Sequence, residues 1–319
     1  MSKIWQYNRL YSLGRLYVDW CTKNSYRYLR YRGADLPQDG AVIIAPNHTN
    51  TLMDALVILA GRKDATVFGA RADLFRRPAV ARVLHFLRIV PMVRQRDGLE
   101  HVSENYATFN QIDDVLSHGV PFCLFAEGTH HPGRTLQPIK KGIARIALHS
   151  AQTRQTWVVP TGINYSDFYH FRGACEVRYG EPLDISAFVR EHEGLTEAQL
   201  LQELRSHIEV HMAAMVDPVG PASEKAHPLL LLVWPLAALL TLPIWGTAEM
   251  LCYKMKDKAW CNSIRCASLA LLLPLTLLIW GIIWGFILPW TWKISLLICT
   301  LFSYPVFYDG LRILRPKRK

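Results

Sequence analysis

The chain has 319 residues, with 36 Lys and Arg against 26 Asp and Glu for a net charge of +10, and half of its residues are hydrophobic. Charged residues reach only 19%, below the usual quarter of soluble domains, which excludes a disordered chain and indicates a folded polar part joined to something apolar. The basic excess sits at the ends: residues 1–32 carry +6 and residues 229–319 carry +7, leaving −3 between them. Basicity beside aromatic and apolar runs suits anionic lipid rather than nucleic acid, so membrane lipid is an expected partner and nucleic acid is not.

In chain order, Trp5, Leu10, Leu13, Leu16, Tyr17 and Trp20 recur at helical spacing, with Lys3, Arg9, Arg15 and Lys23 among them. This predicts an amphipathic helix in the headgroup layer, and the basic aromatic run through Tyr28 and Arg32 extends that surface segment to residue 32. Charged residues interrupt it too early for a signal peptide, and the seven cysteines form no CxxC pair, as expected of free thiols in a reducing, cytosolic compartment.

From residue 33 to 228, β-type runs at 41–45, 66–70, 87–93, 120–126, 156–163 and 174–180 alternate with helix-like stretches, the pattern of an α/β domain whose helices cover a sheet. The clearest helices are Ser103–Ser117, Lys141–Gln152 and Glu197–Met215, the last opened by a capping box of Thr196 and Gln199. In residues 229–319, the C-terminal membrane region, three apolar stretches follow: Leu229–Ala248, Cys266–Pro289 and Ile294–Tyr308. Only the second comfortably spans a bilayer; Pro235 and Pro243 interrupt the first, and the third is near the short limit. The basic clusters all stay on the cytosolic face of an inner membrane if the first stretch enters and leaves one leaflet and residues 266–308 form a two-span hairpin turning near Trp290 and Lys293.

The chain lacks a GxSxG elbow, a GxxxxGK[ST] phosphate loop and a GxGxxG turn. Glu203, His207 and His211 share one helical face, which reads as the polar side of an amphipathic helix; no metal and no cofactor are expected. Four segments instead place polar residues directly after β-type runs, where α/β sheets present their ligands. These are Asn47-His48 with Asp54 in APNHTNTLMDAL, Arg94 in IVPMVRQRD, Glu127-Gly128-Thr129 in LFAEGTHH, and Pro160 in VVPTGIN.

In this order and spacing they resemble the four motifs of the glycerolipid acyltransferase superfamily, of lysophosphatidic acid and glycerol-3-phosphate acyltransferase type, over about residues 30–215. ARADLF (70–75) and IKKG (139–142) add weaker matches. The resemblance implies a mixed sheet covered by helices, glycerol-3-phosphate acyltransferase-like, flanked by the N-terminal amphipathic helix and the C-terminal helical membrane region. It implies acyl transfer from a thioester, acyl-CoA or acyl-carrier protein, to a hydroxyl of a phosphate-bearing glycerol acceptor in phospholipid biosynthesis. His48 is then the base and Asp54 the carboxylate that fixes its tautomer. Asn47, Arg94, Glu127, Gly128, Thr129, Lys140 and Lys141 are the acceptor-binding set, cations and amides suited to a phosphate dianion. No covalent acyl-enzyme is required.

Two departures stand out. Five residues rather than four separate His48 from Asp54, and FPEGTR has become FAEGTH, with Ala126 and His130. On one regular helix the longer spacing turns the pair about 240° apart instead of about 140°, so His48 is expected on a loop that bends back over Asp54, with Thr49, Asn50 or Thr51 capping the helix of Asp54. The longer spacing, with an Asn inside it, is similar to fungal-type glycerol-3-phosphate or dihydroxyacetone-phosphate acyltransferases. Transfer to another lyso-lipid, such as an amino-acid lipid, and a non-catalytic lipid-binding protein remain alternatives.

Overall fold

The computed structural model describes residues 3–92, 102–217, 219 and 227–314. Arg94 and the basic cluster Arg315–Lys319 lie outside these described residues.

The sheet is built around β2 (Ala41–Pro46), buried at every residue. A continuous apolar run of this kind is what a strand covered on both faces requires. It pairs in parallel with β5 (Phe122–Cys123) on one side and β6 (Thr156–Tyr165) on the other. Beyond β5 lie β3 (Val67–Arg71) and the edge strand β4 (Ile89–Met92), both parallel. On the far side β6 turns antiparallel to β7 (Ala174–Tyr179), which pairs in parallel with β1 (Tyr28–Gly33), and the short β8 (Leu183–Asp184) also joins β6. The order is β1-β7-β6-β2-β5-β3-β4, a mixed sheet.

The stretch 28–32, read from sequence as membrane-surface segment, is therefore strand β1. Its Tyr28, Arg30, Tyr31 and Arg32 lie along a partly exposed edge, and charged side chains on an edge strand discourage pairing with other chains. Pro91 is tolerated in β4 because that strand, too, lies at the edge.

Period-two alternation in β2 feeds two cores. Ala41, Ile43 and Ala45 join one face, under α4 (Val102–Ser117), α5 (Lys141–Ala151), α6 (Ile185–Glu191) and α7 (Glu197–Met215). Val42 and Ile44 join the other, with Cys21 of α1 (Arg9–Ser25) and Met53, Val57 and Ile58 of α2 (Leu52–Ala60). A short surface helix, α3 (Pro78–Phe86), connects β3 to β4. The capping box at α7 is formed.

The second face is closed by the C-terminal helices α8 (Leu230–Leu240), α9 (Leu242–Lys254), α10 (Cys261–Ile287) and α11 (Trp290–Leu314). Ile244, Cys266, Leu269, Tyr304, Phe307 and Tyr308 belong to the same core as β2. Helices α10 and α11 are each long and apolar enough to cross a membrane, and α8 and α9 form a pair bent by 83°. The bend leaves backbone carbonyls free. Trp280 of α10 donates its indole N–H to Leu240 O (2.9 Å), and Trp245 donates to Ala238 O (2.8 Å).

Ionic contacts fasten the inner ends of this region. Arg265 makes a forked pair with Glu249 (2.7 and 3.1 Å), and the Tyr308 hydroxyl donates to Glu249 at 2.7 Å, joining α9, α10 and α11. Arg172, in the loop between β6 and β7, grips Asp309 of α11 at 3.0 and 3.2 Å, while Arg312 donates to the Phe171 and His170 carbonyls.

Candidate active site

His48 and Asp54 meet although no regular helix joins them. β2 ends at Pro46, α2 begins at Leu52, and the loop between carries His48 back so that Nδ1 lies 2.7 Å from Asp54 Oδ2. The loop is held from within. Asp54 Oδ2 also accepts the backbone N–H of Thr49 (2.8 Å) and Asn50 (2.7 Å), so this carboxylate gathers the loop and the imidazole around one oxygen. The expected capping by Thr49, Asn50 or Thr51 does not occur. Thr51 occupies the N-cap position without a side-chain cap bond, and its hydroxyl instead meets Ser263 of α10 at 2.6 Å. Thr51 also has φ of 49°, a region costly for a β-branched residue, so the loop is strained and tied down from the C-terminal region.

Asp54 is fully buried. Its other oxygen accepts a 2.7 Å hydrogen bond from the hydroxyl of Tyr165 at the end of β6. Burial and the Asp54 charge push the Tyr165 hydroxyl well above its ordinary range, so it remains a donor. Sequence reasoning did not find Tyr165, which is 111 positions from its partner. With Nδ1–H directed at Asp54, the His48 lone pair lies on Nε2, the arrangement a general base needs. The ring stacks on Phe125 (centroids 4.3 Å, 22°), a second residue the sequence reading passed over.

Asn47 is buried and spends its amide on β6, accepting from Ile163 N (2.6 Å) and donating to Ile163 O (3.2 Å). It fastens the two strand ends beside the site. Pro160 stands on β6 in register with Ala45 of β2.

Glu127 comes to the site from the loop after β5. Its Oε1 accepts the backbone N–H of His48 at 3.2 Å, and the His131 N–H donates to His48 O at 2.9 Å, so the first and third motifs lock together. Burial raises the Glu127 carboxyl to about 7, against the partial relief of the His48 N–H. Glu127 Oε2, Thr49 Oγ and both amide atoms of Asn50 are buried without a hydrogen-bond partner among the described residues. Gly128 has φ of 71°, where glycine costs least, and the Lys140 stem lies against it, 3.2 Å from where a Cβ would stand. Lys140 and Lys141 open α5 with exposed side chains, and Thr129 is exposed on the Gly128 turn.

A family model described as Acyltransferase matches residues 29–164, the stretch from β1 to β6 that contains His48, Asp54 and Glu127. Residues 29–164 are thus similar to the acyltransferase family, and the relatives that share this stretch are glycerolipid acyltransferases. It is 35% identical over 83 residues to Glycerol-3-phosphate O-acyltransferase 2 of Saccharomyces cerevisiae, covering 25% of this chain and 11% of that protein. It is 28% identical over 101 residues to Glycerol-3-phosphate O-acyltransferase 1 of the same yeast, covering 30% and 13%. The matched part thus spans little more than a tenth of the yeast proteins' length. Among solved structures, the 1-acyl-sn-glycerophosphate (LPA) acyltransferase PlsC from Thermotoga maritima is similar with a TM-score of 0.45 and 21% identity, over 66% of this chain and 82% of that one.

The acyltransferase domain differs at His130, in the third motif, and the structure gives that residue a partner from outside the domain. His130 Nε2 lies 2.9 Å from Asp257 Oδ2, in the turn between α9 and α10. The His130 ring stands edge-on to His48 at 5.9 Å and to Trp260 at 5.9 Å. The pair with His130 holds the Asp257 carboxyl below its usual range. A second imidazole–carboxylate pair thus borders the first, its carboxylate supplied by the C-terminal helices.

Proposed function

We propose that this protein is an O-acyltransferase that moves a fatty acyl chain from a thioester to a hydroxyl of glycerol-3-phosphate or its 1-acyl ester, at a membrane. The observation that carries this reading is the His48 imidazole oriented by a buried, four-fold hydrogen-bonded Asp54, beside buried polar atoms that have no hydrogen-bond partner among the described residues. Nε2 of His48 removes the acceptor hydroxyl proton as the oxygen attacks the thioester carbonyl. Asp54 stabilises the imidazolium so formed. Collapse of the tetrahedral adduct breaks the C–S bond, forms the ester, and returns the proton from His48 to the departing thiolate. Glu127, Thr49 and Asn50 offer hydrogen bonds to the acceptor through atoms that have no partner among the described residues, and Lys140, Lys141, Arg94 and the Gly128-Thr129 turn supply charge and donors for the phosphate.

The exposed apolar surface of α10 and α11, with Leu271, Ile282, Phe286, Ile287 and Trp290 all exposed, supports a membrane location. The site of acyl transfer then faces the same side as the inner ends of both helices.

The decisive experiment incubates purified protein with acyl-CoA or acyl-carrier protein and, separately, glycerol-3-phosphate, 1-acylglycerol-3-phosphate and a lyso-amino-acid lipid, with products identified by mass. Ester formation on a glycerol phosphate, reduced at least about 10²-fold in folded His48→Ala, is the expected result. Product only on the amino-acid lipid would reassign the acceptor, and turnover that survives in His48→Ala would sink the mechanism.

A further inference from the structure

Helix α3 buries none of its nine residues, yet it is not polar. Val80, Val83, Phe86 and the following Leu87 are all exposed, and their i, i+3, i+6, i+7 spacing draws one stripe along the helix. Leu74, in the turn before it, is exposed as well. A helix with such a stripe ordinarily turns it onto the core; this one turns it outward.

The charge around the stripe is of one sign. Residues 74–88 contain Arg76, Arg77, Arg82 and Arg88 and no Asp or Glu. The first three are exposed, and the acid just before them, Asp73, is paired with Arg71.

The fourth arginine turns inward and fixes the helix in place. Arg88 is buried, with φ of 61°. Its guanidinium donates to Gln6 O (2.7 Å), Ala65 O (3.3 Å) and Trp5 O (3.5 Å) and lies 4.9 Å from the Tyr11 ring. Tyr11 of α1 stands edge-on to Phe86 of α3 at 6.1 Å. The end of α3 and the start of α1 are therefore joined through Arg88 and the Tyr11–Phe86 contact. Helix α1 carries its own outward stripe, Leu10, Leu13 and Leu16 beside Arg9, within an arc of about 120°. Further along, the Tyr17 hydroxyl reaches Leu269 O of α10 at 3.4 Å, so α1 also packs against the helix read above as membrane-spanning.

We infer that α3, pinned to α1 through Arg88, is a membrane-contact surface of its own, its apolar stripe in the headgroup layer and Arg76, Arg77 and Arg82 on the phosphates of anionic lipids. The occupant is a lipid surface because the patch joins exposed apolar side chains to exposed arginines, and α1, to which it is pinned, packs on α10. The inference rests on the membrane reading above and adds a second attachment, on the β3–β4 connection, that orients the domain over the bilayer.

The test uses the full chain in proteoliposomes containing phosphatidylglycerol. Cys299 is the one exposed cysteine among those described, so Cys299→Ser gives a background for single reporters. An environment-sensitive fluorophore is attached at Leu13→Cys, Val83→Cys, Ile282→Cys in α10, and Gln152→Cys at the end of α5 on the other face of the sheet. Lipids brominated near the headgroup should quench Leu13 and Val83, deep-brominated lipids should quench Ile282, and neither should quench Gln152. Adding Arg77→Gln and Arg82→Gln should lower the docked-to-undocked ratio at Val83 about fivefold per arginine and leave Ile282 unchanged. Quenching at Ile282 without quenching at Val83 overturns this inference alone. Absence of quenching at Ile282 overturns the membrane reading and this inference with it. A blue-shifted Val83 probe that bromolipid does not quench means that protein covers the stripe, which also overturns it.

Discussion

Asp54 illustrates how one side chain sets the site. Its Oδ2 binds imidazole and two loop amides, and its Oδ1 is left to the Tyr165 hydroxyl alone. Tyr165→Phe should therefore leave a fully buried oxygen unpaired and cost about 1–3 kcal/mol of stability. Because Oδ2 still fixes the His48 tautomer, turnover should fall only about tenfold, the effect of losing some 1.4 kcal/mol of imidazolium stabilisation; a loss as deep as that of His48→Ala would show that Tyr165 does more than support Asp54. Glu127 gives a pH test. Its carboxyl is raised from 4.5 to about 7 by burial, so the folded state holds the proton more tightly than the unfolded state does. Stability from this group is full below 4.5 and is lost as pH rises through about 7. Glu127→Gln keeps the oxygen that accepts the His48 N–H and removes the titration, so the melting temperature of the variant relative to wild type should climb across that interval. A difference independent of pH would exclude a buried neutral carboxyl. The residue types of the acid–base pair and of Glu127 were readable because each follows a β-type run in a recognisable order. Tyr165 was not, since it is joined to Asp54 only through the pairing of β6 with β2; its one local signal was sharing the Ile163 face of its strand.

Among the elements, the turn between α9 and α10 is the one that links the two parts of the chain at the site. Asp257 reaches His130, Trp260 stands against the same ring, and Ser263 holds strained Thr51. Since the His130–Asp257 pair is partly exposed, with side chains 28% and 49% accessible, its coupling is modest. A double-mutant cycle of His130→Ala and Asp257→Asn, read in kcat/KM for the acceptor, should give about 0.5–1 kcal/mol; strictly additive effects would mean that the turn does not act through His130. The sequence located most elements and missed this one, because nothing in local spacing pairs Asp257 with a residue 127 positions earlier. It also missed β1, where a run of Tyr28, Arg30, Tyr31 and Arg32 looks alike on an edge strand and on a headgroup-seeking segment. Trp5 is a related case: expected at the membrane, it donates its indole N–H to Asp114 at 2.8 Å and stacks on His118. The prolines at 235 and 243 were sufficient to foresee a break in the first apolar stretch; the break itself falls at Thr241, and the indoles of Trp245 and Trp280 that satisfy its carbonyls come from further along the fold.

At the scale of the molecule, the C-terminal helices have two tasks, because the side chains that close the second face of the sheet lie at the inner ends of helices whose outer ends are bare. In α10 the residues buried next to the domain run from Cys261 to Leu273, and in α11 from Ser303 to Gly310, while Phe286, Ile287, Trp290 and Trp292 around the turn are exposed. Asn262 donates to Phe168 O at one end of the hairpin and Asp309 holds Arg172 at the other, so both ends rest on the catalytic domain. If α10 and α11 cross a bilayer, a hairpin fastened in this way crosses it an even number of times. The α8–α9 pair returns too: Trp234 of α8 donates to Phe307 O, beside the domain end of α11, and the turn after α9 brings Asp257 to His130. Its bend, covered by Trp280, is the protected backbone that a re-entrant segment requires at depth. The arrangement keeps Lys254, Lys256, Lys258, Arg265 and Arg312 on one side, in accord with the positive-inside rule. In a Cys299→Ser background, single cysteines at Lys256 and at Leu314, the last residue of α11, should resist an impermeant thiol reagent in intact cells and react after lysis. A cysteine at Lys293, beside the outer turn, should react in intact cells. Labelling of Leu314 from outside would establish an odd number of crossings and separate α11 from the domain that Asp309 and Arg312 fasten it to.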